Sequence, residues 1–464
     1  MPHLVSLIVF VTSFIPAPPD TTWPQFRGHG GRAVSAIESL PTKWSTTINV
    51  AWKTEVPGRG WSSPIVWGDQ VIVTSAVGAG AFKQPSPGIY GNDYVAELQR
   101  QGLSEDQIME KLRLRDLESP QEAGELQFTV SSFDVKSGKP RWERVAHKGP
   151  PVGGRHRKNT YASETPATDG ERVYALFGNI GLFCYSMDGT LLWTHKIAPQ
   201  PRYLDFGTAA SPVVHDGRVY FQDDNEADSF LAALDAKTGA VIWKTPRTAG
   251  TGRPLSGWSS PYVWVNARRI EIVTIGRQLA VSYDLEGREL WRVKGLTQAN
   301  PTPTEGGGLL YLGTGSQGEA NRPLFAVKPG AAGDISLQTG ETANAFVAWF
   351  QPRAAAYTSS PLVFGGRVYA VNDTGILQVF DAKTGREIYK ARVGGVGNTF
   401  SASPWACGGK IYLLSEEGDT FVINAGDAYV EVAKNSLGEL AFASPAVTRD
   451  GLFIRTQTRL YRIK

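Results

Sequence analysis

The chain has 464 residues, and its 47 Lys and Arg against 44 Asp and Glu leave a formal charge of +3. That balance excludes a polyanion such as a nucleic acid as the expected partner. An apolar fraction of 41% with 51 glycines and 29 prolines suits a globular protein rich in tight turns. The only two cysteines, Cys184 and Cys407, exclude a disulfide framework.

Residues 4–15 form an apolar run broken only by Ser6, Thr12 and Ser13. It is short for a membrane span and has the length of a secretion signal, so residues 1–19 are expected to direct export to the periplasm or cell surface. An uncleaved anchor or a mis-set start codon is the alternative, because no Lys or Arg precedes the run. No later stretch has membrane length, so no integral span is expected. Residues 20–49 then read as an N-terminal arm.

From residue 50 onward one unit recurs. Its first mark is a Ser/Thr-Pro pair opening an apolar run: Ser63-Pro64, Thr165-Pro166, Ser211-Pro212, Ser260-Pro261, Thr302-Pro303, Ser360-Pro361, Ser403-Pro404 and Ser444-Pro445. Two apolar residues, a Gly- or Asp-rich turn and a β-branched run follow most pairs, which reads as a hairpin. The second mark is a glycine four residues before an aromatic: Gly138/Trp142, Gly189/Trp193, Gly239/Trp243, Gly287/Trp291 and Gly385/Tyr389. This is a second hairpin, so each unit supplies the four strands of one propeller blade. Asp134, Asp235, Asp284 and Asp381 precede these glycines and are explained by turn formation.

The predicted fold is therefore all-β, an eight-bladed propeller over residues 50–464. Between the two hairpins of the first unit lies an insertion at about 77–127, with a helix opened by a capping box at Ser104 and Gln107. The eighth unit ends without a Gly-x-x-x-Trp strand, whereas Ala51-Trp52 has the look of that strand. Ring closure by the N-terminal strand follows, and it removes the open edges.

Ligands of propellers favour the mouth of the central channel, which the residues just before each Ser/Thr-Pro should face. These are Arg59 and Trp61, Tyr161 and Glu164, Trp258, Asn300, Arg353 and Tyr357, Phe400, and Phe442. Such aromatics with a few charges can stack a ring or dock a peptide, or can simply plug the channel. His156, in the basic run 155–158, can act with Glu164 as an acid–base couple or bind an anion, or can lie in a plain surface loop. No spacing points to a metal site or a catalytic set.

The stretch from Ala233 to Trp243, Ala-x-Asp-x-x-Thr-Gly-x-x-x-Trp, resembles the pyrroloquinoline quinone (PQQ) repeat of quinoprotein dehydrogenases and of the BamB outer-membrane assembly lipoprotein. Trp23-Pro24-Gln25-Phe26-Arg27-Gly28 resembles the opening of exported PQQ-like propellers of planctomycete-type bacteria. The dehydrogenase resemblance implies PQQ with calcium, a vicinal disulfide and an Asp base. Here the cysteines are far apart, and no Glu/Asn/Asp calcium set is evident by spacing. The expectation is a monomeric, non-catalytic propeller without cofactor that binds a protein or glycan. A PQQ-dependent sugar or alcohol dehydrogenase is the alternative.

Overall fold

Proline at the head of a strand gives up no ladder bond, and the Asp-Gly turns that follow reverse the chain at once. The computed structural model accordingly folds the repeats into eight small antiparallel sheets. It describes residues 20–78, 98, 100–104, 106–108, 110–111, 124–247, 255–315, 320–395 and 397–464. The expected signal segment lies outside the described residues.

Blades 1 to 8 open with the innermost strands Ile65–Trp67, Ala167–Thr168, Val213–His215, Tyr262–Val265, Thr304–Gly306, Leu362–Phe364, Trp405–Cys407 and Ala446–Thr448. Each meanders outward through three more strands. Blade 8 borrows its outer strand: Val50–Glu55 pairs antiparallel with Arg459–Ile463, Trp52 facing Arg462. The ring is thus closed by the N-terminal strand, as the truncated eighth unit requires.

Outer tryptophans lock neighbouring blades. The Trp193 indole Nε1 donates to the carbonyl of Ala236 at 3.2 Å in the turn of blade 3. A methyl group built on Gly239, whose φ is +73°, would lie 2.6 Å from that indole ring. Only glycine tolerates both the positive φ and the contact. The same lock recurs at Trp52 with Val135, Trp142 with Met187, Trp243 with Leu285 and Trp349 with Ala382, at 2.8–2.9 Å. The turn aspartates act as the sequence suggests: Asp235 Oδ1 accepts the backbone N–H groups of Lys237 and Thr238.

Where the first unit is interrupted, the strands run further than the sequence indicates, Gln70–Gly78 and Leu126–Asp134. Within the insertion, Ser104 N–H donates to Gln107 Oε1 at 2.9 Å and Gln107 N–H to Ser104 Oγ at 3.4 Å. That is the expected capping box, and residues 106–108 and 110–111 are helical.

The arm is more than a tether. Thr22–Trp23 adds a fifth strand inside blade 1. Thr168 of blade 2 donates to Pro24 O at 2.8 Å, and Arg449 of blade 8 to Asp20 O at 2.7 Å. Arg27 Nη2 donates to Pro361 O of blade 6. Ser35 and Ala33 exchange backbone bonds with Ala406 of blade 7 at 2.9 Å. Touching blades on all sides, residues 20–35 cross the axis and close one end of the channel.

Candidate functional site

In seven of the eight Ser/Thr-Pro pairs the Ser/Thr hydroxyl accepts a backbone N–H across the seam. Ser63 N–H donates to Thr165 Oγ1, Thr165 to Ser211, Ser211 to Ser260, Ser260 to Thr302, Thr302 to Ser360, Ser360 to Ser403, and Ser403 to Ser444, at 2.8–3.3 Å. Seven of the eight seams are stitched by this belt. The eighth is stapled by Arg455 of blade 8, whose guanidinium donates to Ser62, Ser75 and the carbonyl of Thr74 in blade 1. Burial without a carboxylate holds the Arg455 guanidinium down to about 9.

All eight belt residues line a cavity of about 270 Å³ on the axis, and Phe26 of the arm lines it too. The cavity is therefore a cup, with the arm below and an open mouth above. Side chains of a strand repeat with period two. The residues two positions before each hydroxyl also line the cup: Trp61, Ser163, Ala209, Trp258, Asn300, Thr358, Ser401 and Phe442.

That offset sorts the sequence candidates. Trp61, Trp258, Asn300 and Phe442 lie at it and face the cup, and His156 and Tyr357 join them from neighbouring turns. Five others lie elsewhere. Arg59 is bridged to Ala76 alongside blade 1. Tyr161 hydrogen-bonds Gly153 O at 3.0 Å. Glu164 is buried in the seam between blades 2 and 3, beside Arg202 and Asp223. Arg353 is exposed beside Arg322. Phe400 is fully buried against Phe421. At odd or longer offsets the chain turns these side chains into seams or to solvent.

The cup wall is aromatic on two sides. Trp61 and Phe442 lie with centroids 4.7 Å apart, and Phe206 touches both His156 at 4.7 Å and Trp258 at 6.3 Å. Trp258 is half-buried, its Nε1 anchored on Gly207 O at 2.8 Å. Charge enters through Lys158, which pairs with Glu416 at 2.7 Å, and through Asp373, bound by Arg322 at 2.8 Å. The sequence gives no hint of the Lys158–Glu416 pair, whose members are 258 residues apart.

Burial, then the charges of Lys158, Arg157 and Arg155, hold His156 down to about 3, so its imidazole is neutral at physiological pH. Burial pushes the Tyr357 hydroxyl up to about 12. The expected His156–Glu164 couple does not form, because Glu164 turns away from the cup into the seam, where Gly178 N–H donates to its Oε1. Among the described residues no three His, Cys, Asp or Glu gather as metal ligands. The two cysteines are buried in blades 2 and 7. No helix among the described residues is long and apolar enough to cross a membrane.

A family model described as outer membrane protein assembly factor BamB matches residues 126–278 and 276–462. No curated protein matches the chain in sequence. Among solved structures, BamB from Moraxella catarrhalis is 15% identical and superposes with a TM-score of 0.51 over 72% of this chain and 89% of its own. A europium-containing methanol dehydrogenase is 9% identical, with a TM-score of 0.58 over 95% of this chain and 98% of its own. Quinohemoprotein alcohol dehydrogenase from Comamonas testosteroni is 10% identical, with a TM-score of 0.56 over 95% and 80%. At these identities the likeness is one of fold.

Proposed function

Because the chain belongs to the BamB-like family of PQQ-repeat propellers, we propose that it is an exported, monomeric, non-catalytic propeller that binds a protein or glycan group in its axial cup. The observation that carries this reading is the cup itself. It is closed below by Phe26, walled by Trp61, Trp258, Phe206 and Phe442, and has the 270 Å³ that a ring or a chain end fills. Its histidine is neutral and its tyrosine protonated, so the lining offers recognition surfaces and no poised acid–base couple.

The second reading, a quinone-dependent dehydrogenase, draws on the propeller shared with methanol dehydrogenase across 95% of this chain. PQQ with calcium does not fit the residues present. An anionic quinone needs cations, and calcium needs several oxygen ligands. The cup offers one cation, Lys158, already paired with Glu416, together with the carboxylate of Asp373.

Reconstitution with PQQ and calcium, followed by absorbance and dye-reduction assays over sugars and alcohols, separates the two. The binding reading expects no stoichiometric uptake, and retention on a glycan or peptide panel that Trp258→Ala abolishes. Stoichiometric quinone with turnover overturns it.

A further inference from the structure

Two buried polar atoms of the cup have no partner among the described residues. Asp373 is 7% exposed; its Oδ1 accepts from Arg322, whereas its Oδ2 meets no donor. Trp61 is 9% exposed, and its Nε1 meets no acceptor. The indole Nε1 groups of Trp142 and Trp243 are satisfied by carbonyls; those of Trp23, Trp44 and Trp405 also meet no acceptor, but of these unsatisfied indoles only Trp61 lines the cup. A buried donor and a buried acceptor left open are costly unless a bound group completes them.

The belt adds to this. Each hydroxyl of residues 165, 211, 260, 302, 360, 403 and 444 already accepts a backbone N–H. Among the described residues, none of these hydroxyls donates to another group of the chain. Their protons therefore remain for a ligand. The group that fits must accept from several O–H donors and from an indole N–H, donate to a carboxylate, and present a flat apolar face to Trp258. A group without net charge suits the cup, because the charges of the lining are already paired, Lys158 with Glu416 and Asp373 with Arg322. A sugar hydroxyl both donates and accepts, and the C–H face of a pyranose stacks on indole.

Resting on the reading of the cup as a binding site, we infer that it takes a neutral pyranose, with Asp373 accepting a sugar hydroxyl, Trp61 Nε1 donating to another, and Trp258 as the stacking face. A peptide chain end is disfavoured because its carboxylate would have to displace Glu416 from Lys158.

The test is calorimetric titration of the full chain with three panels: neutral hexose and pentose oligosaccharides, their uronate counterparts, and short peptides. Asp373→Asn keeps an oxygen for Arg322 but weakens acceptance from a hydroxyl. Trp258→Leu, which leaves Asp373 and Arg322 untouched, guards against misfolding, and near-ultraviolet circular dichroism checks both variants. The inference expects a neutral saccharide to bind, weakened at least about tenfold by each variant, the worth of one charge-assisted hydrogen bond. Preference for uronates, or neutral sugars whose binding ignores both variants, overturns it. Peptide binding lost in Trp258→Leu overturns the sugar assignment while the cup remains the binding site. Failure of all three panels overturns both.

Discussion

Two seams of the ring, between blades 2 and 3 and between blades 4 and 5, solve the same packing problem differently. In the first, Trp193 is half-buried and lies over Gly239, its N–H on a backbone carbonyl. In the second, Trp291 is wholly buried among Leu310, Leu312 and Phe325 of the next blade. Its Nε1 donates at 2.6 Å to Oε2 of Glu271, a carboxylate that also receives Ser282 Oγ, Arg269 and Asn266. The cause lies in blade 5. Between its strands Leu324–Val327 and Val347–Gln351 there is no tight Asp-Gly hairpin, and the chain instead returns to lay Gly333–Asp334 parallel to the outer strand of blade 4. Without a glycine turn to cover, the indole turns inward, and a buried carboxylate replaces the backbone carbonyl as its acceptor. The tryptophan lock is thus a property of the neighbouring turn, not of the tryptophan alone.

The largest expected effect follows from that difference. Trp291→Ala removes a fully buried indole and one donor to Glu271, and should cost about 3–5 kcal/mol. Trp193→Ala, at a half-exposed site, should cost roughly half as much. Denaturant unfolding of the two variants measures the gap, and equal losses break the comparison. Next, Gly239→Ala meets both a positive φ and the indole, for about 1–3 kcal/mol. Gly217→Ala, at φ +68° with nothing within 4 Å, carries the backbone strain alone. If the two alanine variants unfold together, the Trp193 contact contributes nothing.

Closer to the axis the seams become alike. The belt bond Thr165 N–H to Ser211 Oγ at the second seam has its counterpart in Ser260 N–H to Thr302 Oγ1 at the fourth. Ser211→Ala and Thr302→Val each leave one buried N–H without an acceptor and should each cost about 1 kcal/mol. Thermal unfolding showing a large loss at only one of them would mean that the irregularity of blade 5 reaches the channel.

The blades were legible because turns and strand starts are local chemistry. Asp235 to Gly239 spells out a hairpin in five residues, and each Ser/Thr-Pro marks a strand head. The cup was only partly legible. Trp61, Trp258, Asn300 and Phe442 emerged because they adjoin the marks, yet Phe400, only one residue further from its serine, faces elsewhere. Strand parity decides, and the offset of two from the hydroxyl carries that information. Phe26, Lys158, Glu416 and Asp373 escaped because their meeting depends on ring closure and on the arm crossing the axis. Neither leaves a periodic trace. Trp349 escaped because the long excursion in blade 5 hides its place in the repeat.

The smallest effect concerns pH and the loop at the cup rim. His156 packs edge-on against Phe206, and its Nδ1 accepts from Lys158 N–H at 3.1 Å. Burial first, then the three neighbouring cations, hold the folded imidazole at about 3, against 6.5 when unfolded. Between those values the unfolded chain binds a proton that the folded chain refuses, so stability falls as pH drops below about 6.5. From pH 7 to pH 6 the contribution of this single group is about 0.7 kcal/mol. His156→Gln removes the titration, so its unfolding midpoint should fall less than that of the wild type over the same interval. Trp193→Ala and Trp291→Ala leave His156 in place, and both variants should follow the wild-type pH profile in parallel. A wild-type imidazole that titrates near 6.5 by NMR while the protein stays folded would show that the rim is open to water and that Phe206 does not cover it.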